Sequence, residues 1–192
     1  MKKGSDVSSS RDIKATDRRQ RGFTLVELMV AVAVIAIVSA IAAPNFRQLT
    51  LGSRLTGGAN ELVATLQTAR MSAVSQRATV RVCPSTSGTT CGALGPRWIA
   101  ASVKNGTTTL LREVTLANGV TLSASPNLAA AANTFTFTPN GFSAAGANSS
   151  GTVGVCMAQM SGNNSADVSA RVGRISSVRR AGGAGCTAPG DN

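Results

Sequence analysis

Arg21-Gly22-Phe23-Thr24-Leu25-Val26-Glu27-Leu28 opens an apolar run that continues to Ala43, and the character of this run decides the rest of the chain. Glu27 is its only charge. As a helix rising ~1.5 Å per residue, the run is roughly 31 Å long, about the hydrocarbon thickness of a bilayer. A carboxylate in hydrocarbon costs about 2.5 kcal/mol or more and is normally there for a purpose. A charge tolerated close to the headgroups is the plainer alternative. Ahead of the run, residues 1–22 carry Lys2, Lys3, Arg11, Lys14, Arg18, Arg19 and Arg21 against Asp6, Asp12 and Asp17. They hold almost no large apolar residue, so they cannot pack a core. Their positive charge should keep them in the cytoplasm and place the C-terminal part outside. A secretory signal would end in a small-residue cleavage site and be lost; Ala40-Ile41-Ala42 offers only a weak one.

The stretch from Arg21 to Leu28 resembles the prepilin motif of type IV pilins and type II secretion pseudopilins. The resemblance implies cleavage between Gly22 and Phe23 by a prepilin peptidase, with Phe23 N-methylated and the apolar helix retained. Glu27 would be the fifth mature residue, meeting the N-terminal amine of a neighbouring subunit. The physics agrees, because a buried carboxylate and a buried amine each need a partner. Pro44 follows the run and should kink or loosen the helix, since it lacks a backbone donor.

Residues 45–76 still read as helix. Leu55, Ala59, Leu62, Leu66, Ala69 and Ala73 form one apolar stripe at alternating four- and three-residue spacing, which should pack on a globular domain. Gly52 and Gly57-Gly58 each weaken the helix by roughly 1 kcal/mol, so a soft stretch is expected there. Beyond Gln76 come short β runs: 77–83, 97–103, 109–116, 120–123, 134–138, 153–157 and 168–178. Asn105-Gly106, Asn118-Gly119 and Asn140-Gly141 are turn dipeptides between them. Residues 143–152 and 158–166 are small and polar and should be exposed loops. The fold class is therefore α+β, a long N-terminal helix followed by an antiparallel head. The expected organisation is a leader over 1–22, a transmembrane helix over 23–43, a stalk helix over 44–76 and a head over 77–192.

The head also resembles a particular branch. Ala69-Arg70-Met71-Ser72-Ala73 leading into Val80-Arg81-Val82-Cys83-Pro84 is similar to the GspH/FimT minor pseudopilins. So are Arg97-Trp98-Ile99, Pro139-Asn140-Gly141-Phe142 and Val172-Gly173-Arg174-Ile175. That branch packs a helix on two antiparallel sheets.

Composition removes several functions. The chain has no His, which excludes a Ser-His-Asp arrangement and any His-ligated metal. Beyond the leader the acids are Glu27, Glu61, Glu113, Asp167 and Asp191, with no paired spacing for acid–base work. No enzyme activity, cofactor or metal is expected. Cys83, Cys91, Cys156 and Cys186 form no Cys-x-x-Cys pair, and outside the membrane they should form two disulfides. Three connectivities are possible; the local one, Cys83–Cys91 with Cys156–Cys186, is preferred. Its loops give ~2.6 and ~3.7 kcal/mol by chain entropy.

The net charge is +11, and the sharpest basic feature is Arg171, Arg174, Arg179 and Arg180. No acid lies between Asp167 and Asp191. Clustered guanidinium groups beside a glycine suit phosphates. Some FimT-like pilins are similar here, with a Gly-Arg-x-Arg element that binds DNA. Gly173-Arg174 matches, while Ser176 stands where the second Arg would be. On one regular strand Arg171 and Arg179 would share a face, and Arg174 and Arg180 the other. Any contact should be to backbone phosphates, because aromatics are too few for base stacking. A solvated basic edge that discourages edge pairing is the structural alternative. The expected protein is thus a single-pass inner-membrane filament subunit with a periplasmic head. It would be a minor pilin of a type IV pilus with candidate DNA binding, or, alternatively, the H-type minor pseudopilin of type II secretion. Prepilin peptidase, other filament subunits and DNA are the expected partners.

Overall fold

The structure, a computed structural model, describes residues 22–191. The leader expected over 1–22 therefore lies outside the described residues except for Gly22. The chain divides into two units, one ending at Ala42 and the other starting at Ala43. Helix α1 (Leu25–Gln76) contributes to both. In the first unit its apolar side chains, Leu25 to Ile41, are all exposed.

In the second unit α1 buries Leu55, Ala59, Leu62, Leu66, Ala69 and Ala73, each almost wholly. The 3.6-residue period places these on one face. No break occurs at Gly52 or Gly57-Gly58, which corrects the expectation of a soft stretch. The physical reason is packing. A Cβ on Gly58 would lie 3.5 Å from Val155 Cγ1 and 3.8 Å from Leu116 Cδ2, so the helix runs close to a strand there. Burial of the stripe outweighs roughly 1 kcal/mol of propensity per glycine. The helix ends with Arg77 at φ +49°, and the Ala78 N–H donates to the Ala73 carbonyl at 3.2 Å, the closure of a Schellman cap.

Two antiparallel sheets follow. Strands β1 (Thr79–Pro84), β2 (Arg97–Lys104), β3 (Thr107–Thr115), β5 (Phe135–Phe137) and β6 (Ser143–Ala144) form the first, in the order β3-β2-β1-β5-β6. Strands β4 (Thr121–Ala124), β7 (Gly151–Cys156), β8 (Ser165–Arg171) and β9 (Arg174–Arg180) form the second, in the order β4-β7-β8-β9. Asn105 and Gly106 both have positive φ and join β2 to β3, the geometry a two-residue Asn-Gly hairpin demands. The α1 stripe shares one core with Val80, Val82 and Trp98 of the first sheet and Val153, Val155 and Val168 of the second.

Three expectations are corrected. The run 168–178 is not one strand. It is the end of β8, a turn at Val172-Gly173 and most of β9, with Gly173 at φ +73° supplying the reversal. Residues 143–152 and 158–166 are not loops throughout. Ser143, Gly151, Thr152 and Ser165 are buried in strands, because only small side chains fit there. A Cβ on Gly151 would sit 2.9 Å from that of Ala145 and 3.3 Å from Leu128 and Phe135. The third is a short helix, α2 (Pro126–Ala130), where no element is expected. Ser125 caps it by accepting from the Leu128 N–H, and Pro126 takes its first position.

Candidate functional site

The N-terminal site begins with Gly22 and Phe23, both exposed and ahead of the helix. Thr24 is the cap of α1. Its Oγ1 accepts from the Glu27 N–H at 3.2 Å, and its carbonyl accepts from Leu28 N–H at 3.2 Å. Thr24-x-x-Glu27 thus has capping-box spacing, a signal easily missed inside an apolar run. Glu27 is also an acid in the first turn, where the helix dipole favours it. Its carboxylate makes no hydrogen bond or ion pair among the described residues.

Disulfides join Cys83 to Cys91 and Cys156 to Cys186. The second bridge holds the C-terminal tail against β7. Further along, a Cβ on Gly154 would come within 3.2 Å of Pro189. Asp191 then accepts from the Asn127 N–H at 3.1 and 3.2 Å, which caps the start of α2.

The four arginines are distributed by the β8–β9 hairpin. Arg171 pairs with Arg174 across the turn, Ser165 with Arg180 and Ala166 with Arg179. Directly opposed residues share a face. Arg171, Arg174 and Arg180 therefore lie on one face, with Arg179 alone on the other. This corrects the single-strand expectation, because the turn reverses the phase. Arg180 is anchored: its Nε donates to Asp167 Oδ2 at 2.6 Å and its Nη2 to Oδ1 at 3.1 Å. Its Nη1 and Nη2 also reach Thr187 Oγ1 and the Thr187 carbonyl, each at 2.9 Å. The guanidinium is held above its ordinary pKa, chiefly by the hydrogen bond to Asp167, against the cost of burial and with added charge attraction. Arg179 turns to α1, donating to Thr56 Oγ1 at 2.6 Å and to the Gly52 carbonyl at 3.3 Å.

Arg171 and Arg174 make no hydrogen bond or ion pair among the described residues. Arg70 of α1 stands beside the turn and donates to the Gly173 carbonyl at 2.7 Å. No carboxylate among the described residues of the head is left to neutralise these three. Glu61 pairs with Arg112, Glu113 with Arg97 and Asp167 with Arg180, while Asp191 caps α2. The hairpin end of the second sheet is a patch of uncompensated positive charge.

An apolar, uncovered helix behind a Gly-Phe junction, and a head of two antiparallel sheets packed on a helix stripe, make a pilin-like architecture. Residues 58–176 match the family described as type II transport protein GspH, and residues 17–43 match the prokaryotic N-terminal methylation motif. The first match covers more than half of the chain, which belongs to the GspH family. A fimbrial protein of Pseudomonas aeruginosa is 44% identical over 57 residues, 30% of this chain and 36% of that protein. The type IV major pilin protein PilA of Myxococcus xanthus (strain DK1622) is 46% identical over 59 residues, 31% of this chain and 26% of PilA. The chain thus spans about a third of the length of the curated relatives it matches. Among solved structures, the type IV minor pilin FimU of P. aeruginosa aligns with a TM-score of 0.49 and 25% identity, over 67% of this chain and 90% of FimU. The minor pseudopilin EpsH from the type 2 secretion system of Vibrio cholerae aligns at 0.48 and 10%, over 66% of this chain and 97% of EpsH.

Proposed function

We propose that this chain is a minor subunit of a type IV filament machine. Prepilin peptidase cuts it between Gly22 and Phe23 and the new N-terminus is methylated. Residues 23–43 anchor it in the inner membrane, with the stalk helix of 44–76 and the head of 77–192 on the periplasmic side. Glu27 directs assembly by meeting the N-terminal amine of an adjacent subunit. One observation supports this most strongly. The apolar helix is wholly uncovered yet carries, in its capped first turn, a carboxylate with no partner among the described residues. Glu27→Ala should be cleaved normally and fail to enter filaments, read by immunoblots of whole-cell and sheared-filament fractions. Normal incorporation would sink the role of Glu27.

The same anchor and fold serve a pilus or a secretion pseudopilus. The unneutralised hairpin end favours a pilus subunit that captures DNA by its phosphates. Arg171 and Arg174 are the free members of the four, while Arg179 and Arg180 are held by α1 and Asp167. With two phosphates neutralised, log K should fall with log salt at a slope of about −1.8. A full chain in detergent that shows this slope, and loses binding in Arg171→Gln/Arg174→Gln, supports DNA capture. No binding at low salt moves the assignment to the secretion pseudopilus.

A further inference from the structure

Strand β9 is the last in its sheet, so one of its edges has no neighbouring strand among the described residues. Val172-Gly173 is a two-residue turn, and such a turn closes on a hydrogen-bonded pair, here Arg171 with Arg174. Alternation along the strand then turns the N–H and C=O groups of Ile175, Ser177 and Arg179 away from β8. No backbone hydrogen bond outside the sheet takes them up among the described residues. Side chains close the two ends of the edge: Arg70 on the Gly173 carbonyl, and Arg179 folded onto Thr56. The middle is open.

Charges on an edge by themselves serve to deter pairing. Two further features point to a partner. Beside the edge lies an open groove of about 670 Å³, lined by Gln67, Arg70, Met71, Val74 and Ser75 of α1 with Gly173, Arg174 and Ile175 of the hairpin. Met71 is 66% exposed and Val74 50%, an apolar floor next to unpaired backbone. On the other face Val178 is exposed, and further along that face stands Arg174, whose charge meets no carboxylate among the described residues.

We propose that the open edge of β9 accepts an extended segment of a partner protein as a fifth strand of the second sheet. The segment alternates apolar and acidic residues. Its apolar side chains cover Met71 and Val74, and its carboxylates lie on the opposite face beside Arg174. Main-chain hydrogen bonds supply affinity, and the alternate side chains supply selectivity. The proposal is independent of membrane anchoring and of Glu27. It shares only Arg174 with DNA capture.

The test uses the full chain in detergent micelles and a fluorescent peptide of four Glu-Val repeats, with four Lys-Val repeats beside it. The acidic peptide should bind at least about tenfold tighter than the basic one, since like charges facing each other are costly. On binding, the amides of Ile175, Ser177 and Arg179 should slow in hydrogen exchange. Ser177→Pro deletes an outward N–H that β8 does not use, so it should abolish peptide binding and leave the buried Trp98 fluorescence unchanged. Arg174→Glu, at an exposed position, should reverse the preference between the peptides. Peptide binding that survives Ser177→Pro, or occurs without protection of those amides, overturns the proposal. So does absence of acidic-peptide binding. Duplex DNA bound equally by the parent and Ser177→Pro in that last case would assign the patch to nucleic acid instead.

Discussion

Between Leu25 and Ala42, helix α1 carries apolar residues on every side and leaves them exposed; between Ala43 and Gln76 it carries one apolar stripe and buries it. The same backbone is thus matched to two environments by side-chain pattern alone. A stripe finds its cover in the head, and an all-round apolar surface needs cover from outside the head. The arginines of β9 repeat the contrast in charge. Arg180 has a carboxylate within its own fold, and Arg174 has none among the described residues. In both cases the unsatisfied partner of the comparison marks where function is to be sought.

The contrast breaks most visibly at Leu62. Leu62 is buried against both sheets, so Leu62→Ala should lower the unfolding free energy of the head by about 3 kcal/mol. Val34→Ala, in the exposed segment, should leave it unchanged. Urea unfolding followed by the single tryptophan, Trp98, measures both. Equal losses would mean that the two halves of α1 are not distinguished by burial.

A middle-sized effect is expected in the charge comparison. Arg180→Ala leaves Asp167 buried, with the Ser165 hydroxyl, at 3.3 Å, the one side-chain donor left to it among the described residues. Because Arg180 is itself partly exposed, the cost should be about 2 kcal/mol rather than that of a deeply buried pair. Arg174→Ala should cost under ~0.5 kcal/mol, as for an exposed side chain without a hydrogen bond or ion pair among the described residues. A loss at Arg174 comparable with that at Arg180 would mean that the hairpin charges serve stability and not recognition.

Much of this architecture is legible in the residues themselves. The stripe from Leu55 to Ala73 carries its period openly, and Asn105-Gly106 announces its hairpin because both residues tolerate positive φ. The hairpin at Val172-Gly173 is hidden. A β-branched Val ahead of one glycine reads as strand interior, and nothing local shows that φ at Gly173 is +73°. Without that turn Arg171 falls on the face of Arg179 and not on that of Arg174 and Arg180. Residues 143–152 mislead for another reason. At Ser143, Ala145, Gly151 and Thr152 smallness reflects close packing, whereas at Gly146, Ala147 and Ser149 it goes with exposure, and a composition rule cannot tell the two apart. At the N-terminal site Glu27 stands out as the only charge in an apolar run, whereas Thr24 as its capping partner does not, since threonine is unremarkable there.

The smallest effect tests whether α1 needs its glycines. Gly57 is exposed, and a Cβ added to it would meet nothing within 4 Å. Its only cost to a helix is backbone entropy, about 1 kcal/mol relative to Ala. If α1 is fully formed through Gly57 in the native head, Gly57→Ala should raise stability by that amount. Gly58→Ala should give a similar gain, because its neighbours at 3.5 and 3.8 Å lie at ordinary contact distance. Absence of a gain at Gly57 with a gain at Gly58 would mean that the exposed side of this turn is already frayed. The burial contrast along α1 would then be gradual, with the helix held there by its stripe and not by its own propensity.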